Sequence, residues 1–277
     1  MNFLTIGHIT KDLMPGGYAV GGTVTYASVT ALRLGRQPGV LTRMSADLAL
    51  PDVYNDIELF ALPSAESLTF ENVYTPAGRV QTIHAFADPI GVADVPDALL
   101  EPAPPIVLLG PLAGELDPRV AELFPQSLLG VVPQGWMRRW DARGRVSHVP
   151  LTCNAEVLRY ADVLVVSIED VNGDADLARC YADRVRTVVL TYGQEGADVY
   201  HNGALIHAQP RPARQVDPTG AGDIFTAAFL IYFQETGDPA RAARFANVTA
   251  SFGVEGLSYT SVPSRAQVEA YLAGQER

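Results

Sequence analysis

The sequence predicts an α/β protein in three layers: a central, mostly parallel sheet with helices on both faces, and a small β lid. Three observations predict it. Short apolar runs alternate with helix-patterned segments along most of the chain, which is how βαβ units with a doubly covered sheet read. The glycine- and polar-rich stretches 7–12, 110–114, 133–138, 167–170, 191–196 and 217–223 follow strand candidates, and such sheets bind ligands at the carboxyl ends of their strands. The stretch 66–90 changes to strand-like alternation; with 8–20 it is assigned to the lid of a single domain spanning 1–277.

Each element has a local reason. Phe3–Ile6 is a strand that stops at Gly7, and Gly21-Gly22 opens a helix over 24–34 with Gly35 as its C-cap. Strands follow at 39–41 and 57–59. Segments 68–74 and 79–86 pair as a hairpin across Thr75 to Gly78. The Pro-rich run 95–105 is a surface connection. Ile106–Leu109 is a strand, 118–124 a helix and 128–132 a strand. A short helix at 155–160 precedes a buried strand at 163–166. Helix 174–184, strand Thr187–Thr191 and a turn at 193–196 come next. Segments 198–201 and Ala204–Ala208 form a hairpin on Asn202-Gly203, a type I′ signal. A long helix follows Asp217, and 240–251 and 267–272 are helical.

Composition bounds the function. Hydrophobic residues make up 48% of 277 residues, enough for a large core. The formal charge is −11, from 20 basic and 31 acidic side chains; it argues against nucleic acid and anionic membranes as partners. Any nucleotide must then be held by local amides, a metal and a few cations. Cys153 and Cys180 lack metal-ligand or CxxC spacing and are expected as reduced thiols in or near the core. The chain enters its first strand without a basic leader, and no apolar run reaches the ~18 residues of a membrane span. A cytoplasmic location is expected.

Asp217-Pro-Thr-Gly-Ala-Gly-Asp223 carries the chemistry. It precedes an apolar run, 224–233, with no charge, so the free amides at 220–223 belong to the start of a buried helix. Such a terminus attracts anions. Asp223 adds a carboxylate that can deprotonate a hydroxyl, and an anion hole beside a base is what phosphoryl transfer to an alcohol requires. The plain alternative is a turn and a capped helix, with Asp223 complementing the dipole.

The same heptapeptide, followed by Ala227-Ala-Phe-Leu230, resembles the C-terminal signature of the PfkB (ribokinase-like) carbohydrate kinases. The resemblance implies a ribokinase-like αβα sandwich and ATP-dependent phosphorylation of a hydroxyl on a small polyol or sugar. Asp223 would be the general base, and the amides of Gly220, Ala221 and Gly222 the anion hole. Thr219, Gly220 and Gly222 would border the donor phosphates. Strand–Gly7, Asp12, Gly21-Gly22 and Leu34-Gly35 look like the family's opening, where the early Asp and the Gly-Gly loop bind substrate hydroxyls; Asp12 as a solvated loop residue is the alternative. Tyr26 stands where the family commonly has Asn, which speaks against ribose or fructose. With 21–26, 70–90 and Gln134-Gly135 the chain looks more like the branch that includes myo-inositol kinases, with Tyr26 on the substrate side.

Ser167-Ile-Glu-Asp170 replaces the family's Asn-x-x-Glu. Asp170, or Glu169 in a shifted register, would hold magnesium-bound water, while Ser167 as an N-cap with acids in the first turn is a compatible reading. Thr191, Gly193 and Gly196 resemble the nucleotide loop, and Asn247 falls at the adenine edge or is an ordinary helix amide. The loop 253–258 resembles part of the nucleotide pocket and, in some members, a monovalent-cation site. Arg138 and Arg79 are candidate cations for phosphate or substrate, with surface arginines as the alternative. His8 is a polar loop residue or a substrate contact. Nucleoside phosphorylation and a non-catalytic sugar or nucleotide sensor are the rival functions, and the oligomer is left between monomer and homodimer.

Overall fold

The computed structural model describes residues 1–75 and 78–275, and side chains from 74 to 79, Arg79 among them, lie outside the description. β1 (Phe3–Ile6) leads into β2 (Thr10–Met14) and β3 (Gly17–Gly21). α1 (Thr23–Arg33) returns to β4 (Pro38–Met44) and β5 (Glu58–Pro63). β6 (Leu68–Thr75) and β7 (Gly78–Ala85) precede β8 (Ile106–Leu109) and β9 (Leu128–Val131). A short hairpin follows, β10 (Arg138–Trp140) with β11 (Val146–His148), then β12 (Val163–Ser167), α2 (Asp176–Ala182) and β13 (Thr187–Thr191). β14 (Ala197–His201), β15 (Ala204–Ala208), α3 (Ala221–Thr236), α4 (Pro239–Gly253) and α5 (Arg265–Gln275) complete the chain.

Nine strands form the main sheet in the order β15-β14-β13-β12-β9-β8-β1-β4-β5. Pairing is parallel from β13 through β5, and β14 and β15 add an antiparallel edge. Side chains alternate between two cores. Phe3, Ile106, Leu108, Val163 and Val165 pack with α1, α3 and α4, while Leu4, Ile6, Val107, Leu109, Leu164 and Val166 pack with α2 on the opposite face. Both faces of the central strands β1, β8 and β12 are therefore dry, which is why the sequence shows unbroken apolar runs there. The long-helix face includes α3, whose residues from Ile224 to Ile231 are all buried.

The opposite face departs from expectation. The helices expected at 118–124 and 155–160 are 3₁₀ turns, Pro118–Leu123 and Glu156–Arg159, because such short segments cannot offset the cost of an α nucleus. Asn202 and Gly203 take φ of 48° and 80°, the left-handed pair of a type I′ turn.

A four-stranded sheet, β3-β2-β6-β7, stands beside the carboxyl end of β1. The β10–β11 hairpin, which the sequence reading did not include, leans on it: Thr82 bridges Arg145, and the Ile83 amide donates to Gly144 O at 2.9 Å. Three-residue strands carry too little alternation to be read from sequence.

The cysteines are also corrected. Cys153 and Cys180 are paired in a disulfide, with Cα atoms 5.9 Å apart across 27 residues of sequence. The chain before 155 docks on α2: the Tyr181 hydroxyl donates to Leu151 O at 2.9 Å, and Arg184 donates to Asn154 Oδ1 at 2.9 Å. That docking juxtaposes the sulfurs, and no local spacing announces it. Among the described residues no helix is long and apolar enough to cross a membrane.

Candidate active site

Three strand ends and two helix starts meet around Asp223. The turn into α3 begins at Gly220, whose φ of 76° lies in the left-handed region. A Cβ there would also fall 2.2 Å from the Tyr26 ring, so glycine is required twice over. The Ile224 amide closes the first helical bond onto Gly220 O at 2.9 Å. The Ala221 amide instead donates to Pro218 O at 3.2 Å. This removes Ala221 from the expected anion hole, because a proline-led turn supplies its own acceptor. The amides of Gly220, Gly222 and Asp223 make no bond within the described protein, and Gly222 is exposed with open space where a Cβ would be. These three amides can face an anion.

The Asp223 side chain reaches the cleft but is closely walled. Burial pushes its carboxyl up to about 6; the nearby Thr23 hydroxyl and the charge of Arg138 pull it back, and Asp170 pushes it further up. A carboxyl in that range is ionised at neutral pH and still basic enough to accept a proton.

Arg138 is 3% exposed. It donates to Leu112 O at 2.9 Å and to Gln134 Oε1 at 2.6 Å, and its guanidinium lies 5.4 Å from the Phe70 ring on β6. Gln134 in turn reaches Asp170 Oδ1 at 3.5 Å. A chain of contacts thus runs from the lid through Arg138 to the loop after β12. Gln134 sits on the turn that follows β9, and no local pattern in the sequence marks it as the link between Arg138 and Asp170.

Asp170 is buried, and its Oδ2 accepts from the Ser167 amide at 2.9 Å and hydroxyl at 2.8 Å, while its own amide donates back to Ser167 Oγ at 3.1 Å. This reciprocal bonding closes a turn at 168–170 and caps no helix: α2 begins only at Asp176, with Ala175 as its N-cap, so Ser167 is not the N-cap the sequence suggested. Glu169 is exposed. No cluster of three His, Cys, Asp or Glu able to hold a metal occurs among the described residues.

On the lid side, Asp12 lies across Gly21: a Cβ on Gly21 would meet Asp12 Oδ2 at 2.1 Å, and Thr10 donates to Asp12 Oδ1 at 3.1 Å. Gly22 is the N-cap of α1. Thr25 bonds to Gly21 O and to the Tyr54 hydroxyl and so braces the Gly-Gly loop. Tyr26 departs from its expected place. Its ring is 4% exposed, packs beneath Gly220, meets the Tyr259 ring edge-on at 6.2 Å and sends its hydroxyl to Ser258. It supports the anion loop from behind and does not face a substrate. His8 is fully buried, which removes it from contact with substrate.

On the far side of α3 lies a cavity of about 340 Å³, lined by Thr191, Gly193, Gly196, Gly222 and Asn247 as expected of a nucleotide loop. Ser167 and Thr219 do not line it; the Thr219 amide donates to Asp217 Oδ1 at 2.9 Å, and Asp217 Oδ2 accepts from the Ser258 amide at 3.1 Å. Asn247 is buried and donates to Ala208 O at 2.7 Å and Gln209 O at 3.3 Å, so it holds the wall at β15. The sequence reading missed the segment Pro210–Gln215. Its Arg211 lines the cavity, lies 4.0 Å over the Phe252 ring and pairs with Glu255. Its sequence signal is the Pro-rich approach to Asp217.

A profile of the pfkB family carbohydrate kinases matches residues 154–265. The inositol 3-kinase of Oryza sativa subsp. japonica is 30% identical over 290 residues, covering 94% of this chain and 69% of that protein. The inositol 3-kinase of Zea mays is 32% identical over 206 residues, covering 72% of this chain and 50% of that protein, so the chain matches only half of the maize relative's length. A solved pyrophosphate-dependent kinase in the ribokinase family, complexed with a pyrophosphate analog and myo-inositol, superposes with a TM-score of 0.80 at 24% identity over 97% of this chain and 99% of its own.

Proposed function

The chain belongs to the pfkB family of carbohydrate kinases, and from that premise we propose that it transfers the terminal phosphoryl group of ATP to a hydroxyl of a cyclitol, myo-inositol first among the candidates. The observation that carries the reading is the open set of amides at Gly220, Gly222 and Asp223 beside the Asp223 carboxyl. Asp223 accepts the proton of the acceptor hydroxyl. The hydroxyl oxygen bonds to the terminal phosphorus as the bond to the leaving diphosphate breaks. The three amides face the charge spread over the transferred group, and Arg138 adds a pre-set cation.

The acceptor lies against Asp12 and the Gly21-Gly22 loop, where a carboxylate can take two hydroxyl hydrogen bonds from a polyol. Magnesium fits as an ion carried by the donor phosphates and water, because it dehydrates reluctantly and uses few protein ligands. Asp170, with Glu169, would hold its water, and the ion would neutralise phosphate charge. The cavity beyond Gly222, with Phe225, Ala250 and Val254 in its wall, supports a nucleotide donor: it offers apolar room that an inorganic diphosphate would leave unfilled.

The test is an acceptor and donor matrix: myo-inositol, ribose, fructose and cytidine, each with ATP or pyrophosphate and magnesium, read by product ³¹P NMR. Turnover of myo-inositol with ATP is expected. Turnover confined to cytidine would make the chain a nucleoside kinase, turnover confined to pyrophosphate would overturn the donor assignment, and binding without turnover would make it a sensor.

A further inference from the structure

The loop that follows β8 is closed on one buried acid. The Leu112 amide donates to both carboxylate oxygens of Glu115, at 2.9 and 3.0 Å, and the Ala113 amide donates to Oε2 at 2.6 Å. Leu112, Ala113 and Glu115 are all buried, and buried amides need an acceptor. Glu115 is itself held in place. Its carbonyl accepts from the Ile90 amide at 2.8 Å, and the next carbonyl, Leu116 O, accepts from Trp136 Nε1 at 2.7 Å.

The peptide group between Leu112 and Ala113 is gripped at both ends. Its N–H is the one that donates to Glu115 Oε2, and its oxygen is the one that accepts from Arg138 Nη1 at 2.9 Å. A trans peptide points these two groups in opposite directions, so one rigid plate joins a carboxylate to a guanidinium. Bonds at the two ends of one amide polarise it in the same sense and strengthen each other. The turn carrying Arg138 docks on the same loop at a further point. The Gly135 amide donates to Pro111 O at 2.9 Å, and a Cβ on Gly135 would fall 2.3 Å from Leu112 N.

We infer that Glu115 is a positioning residue for the proposed phosphoryl transfer: acting through the Leu112–Ala113 peptide, it fixes where the Arg138 guanidinium is presented to the transferred group. The inference rests on the kinase reading above. A guanidinium held at Nη1 by Leu112 O and at Nη2 by Gln134 Oε1 is set before the donor arrives, which is what a preorganised cation requires. Glu115 also puts negative charge one peptide away from a buried cation and so offsets part of the cost of burying it.

Glu115→Gln keeps the size of the side chain and removes its charge. Asp117→Asn is the control: it removes a charge two residues away, from a carboxylate that pairs with the exposed Arg119. The first reading needs no turnover. The ¹⁵N lines of the two Arg138 Nη groups, assigned by their loss in Arg138→Met, should merge at a lower temperature in Glu115→Gln than in the wild type, and should stay as in the wild type in Asp117→Asn. A role confined to closing the loop would lower stability and leave these lines in place. Once an accepted substrate is in hand, kcat of Glu115→Gln should fall roughly tenfold, as for a weakened hydrogen bond to a charged group, with KM for the donor within about twofold. Adding Glu115→Gln to Arg138→Met should cost nothing more, because a residue that acts through another has no effect once that one is gone. The line-merging result separates failure of this inference from failure of the kinase reading. Glu115→Asp, which keeps the charge and shortens the reach, is put through the same two measurements should the Gln variant not fold. Nη lines that stay as in the wild type, or losses in kcat that add in the double variant, would overturn the inference.

Discussion

On the proposed acceptor side of α3 the candidate groups are side chains whose bonds are already made. Arg138 is clamped by Leu112 O and Gln134, and Asp12 accepts from Thr10 and lies over Gly21. On the proposed donor side a cavity of about 340 Å³ has apolar residues such as Phe225, Ala250 and Val254 in its wall, and two of its polar residues are already engaged, Asn247 with Ala208 and Gln209 and Arg211 with Glu255. The first half is set for one geometry, and small displacements there should be felt in the chemical step. The second is a container, and changes there should be felt in binding.

Asp223→Asn would break the acceptor side most severely. A loss in kcat of between about 10² and 10⁴ is expected, as for removal of a general base, with donor affinity by calorimetry near wild type. Gly220→Ala comes next. Its Cβ would strike the Tyr26 ring, and φ of 76° disfavours it. About 1–3 kcal/mol of stability and roughly 10²-fold in kcat should be lost together, read by denaturant titration and steady-state kinetics.

The pH dependence sharpens the same half. With the Asp223 carboxyl at about 6, kcat should rise tenfold per pH unit below that value and level off above it. Stability moves the other way. The folded-state carboxyl titrates above its ordinary value of 3.8, so its charged form destabilises the fold, increasingly from about pH 4 to about pH 6 and fully beyond. Asp223→Asn should therefore melt at or above the wild-type temperature at pH 8 and lose that advantage at pH 4. The mildest change belongs to the donor side. Asn247→Ala frees the carbonyls at 208 and 209, and KM for ATP should rise about threefold to tenfold, in line with one or two lost hydrogen bonds, with kcat within twofold.

What could be read from the residues divides along physical lines. The central strands of the main sheet were legible because they are buried on both faces, as Ile106–Leu109 and Thr187–Thr191 illustrate. The turn at 217–223 was legible because glycines before a buried helix leave amides open. Local bonding within it was not: the Pro218 carbonyl that occupies the Ala221 amide depends on the exact turn. Nor were the pairings between distant elements. Tyr26 reads as a substrate contact until Gly220 is found resting on its ring. Cys153 and Cys180 likewise meet only because the chain near 151 docks on α2.

The burial of Arg138 has a consequence for how a polyanion reaches this protein. With 31 acidic side chains against 20 basic ones, the surface as a whole repels an approaching nucleotide, and dissolved salt weakens that repulsion. A guanidinium that is 3% exposed is shielded far less by mobile ions. Raising ionic strength from a low value should thus relieve the long-range hindrance while sparing the short-range pull, and apparent ATP capture should improve by about twofold before it levels off.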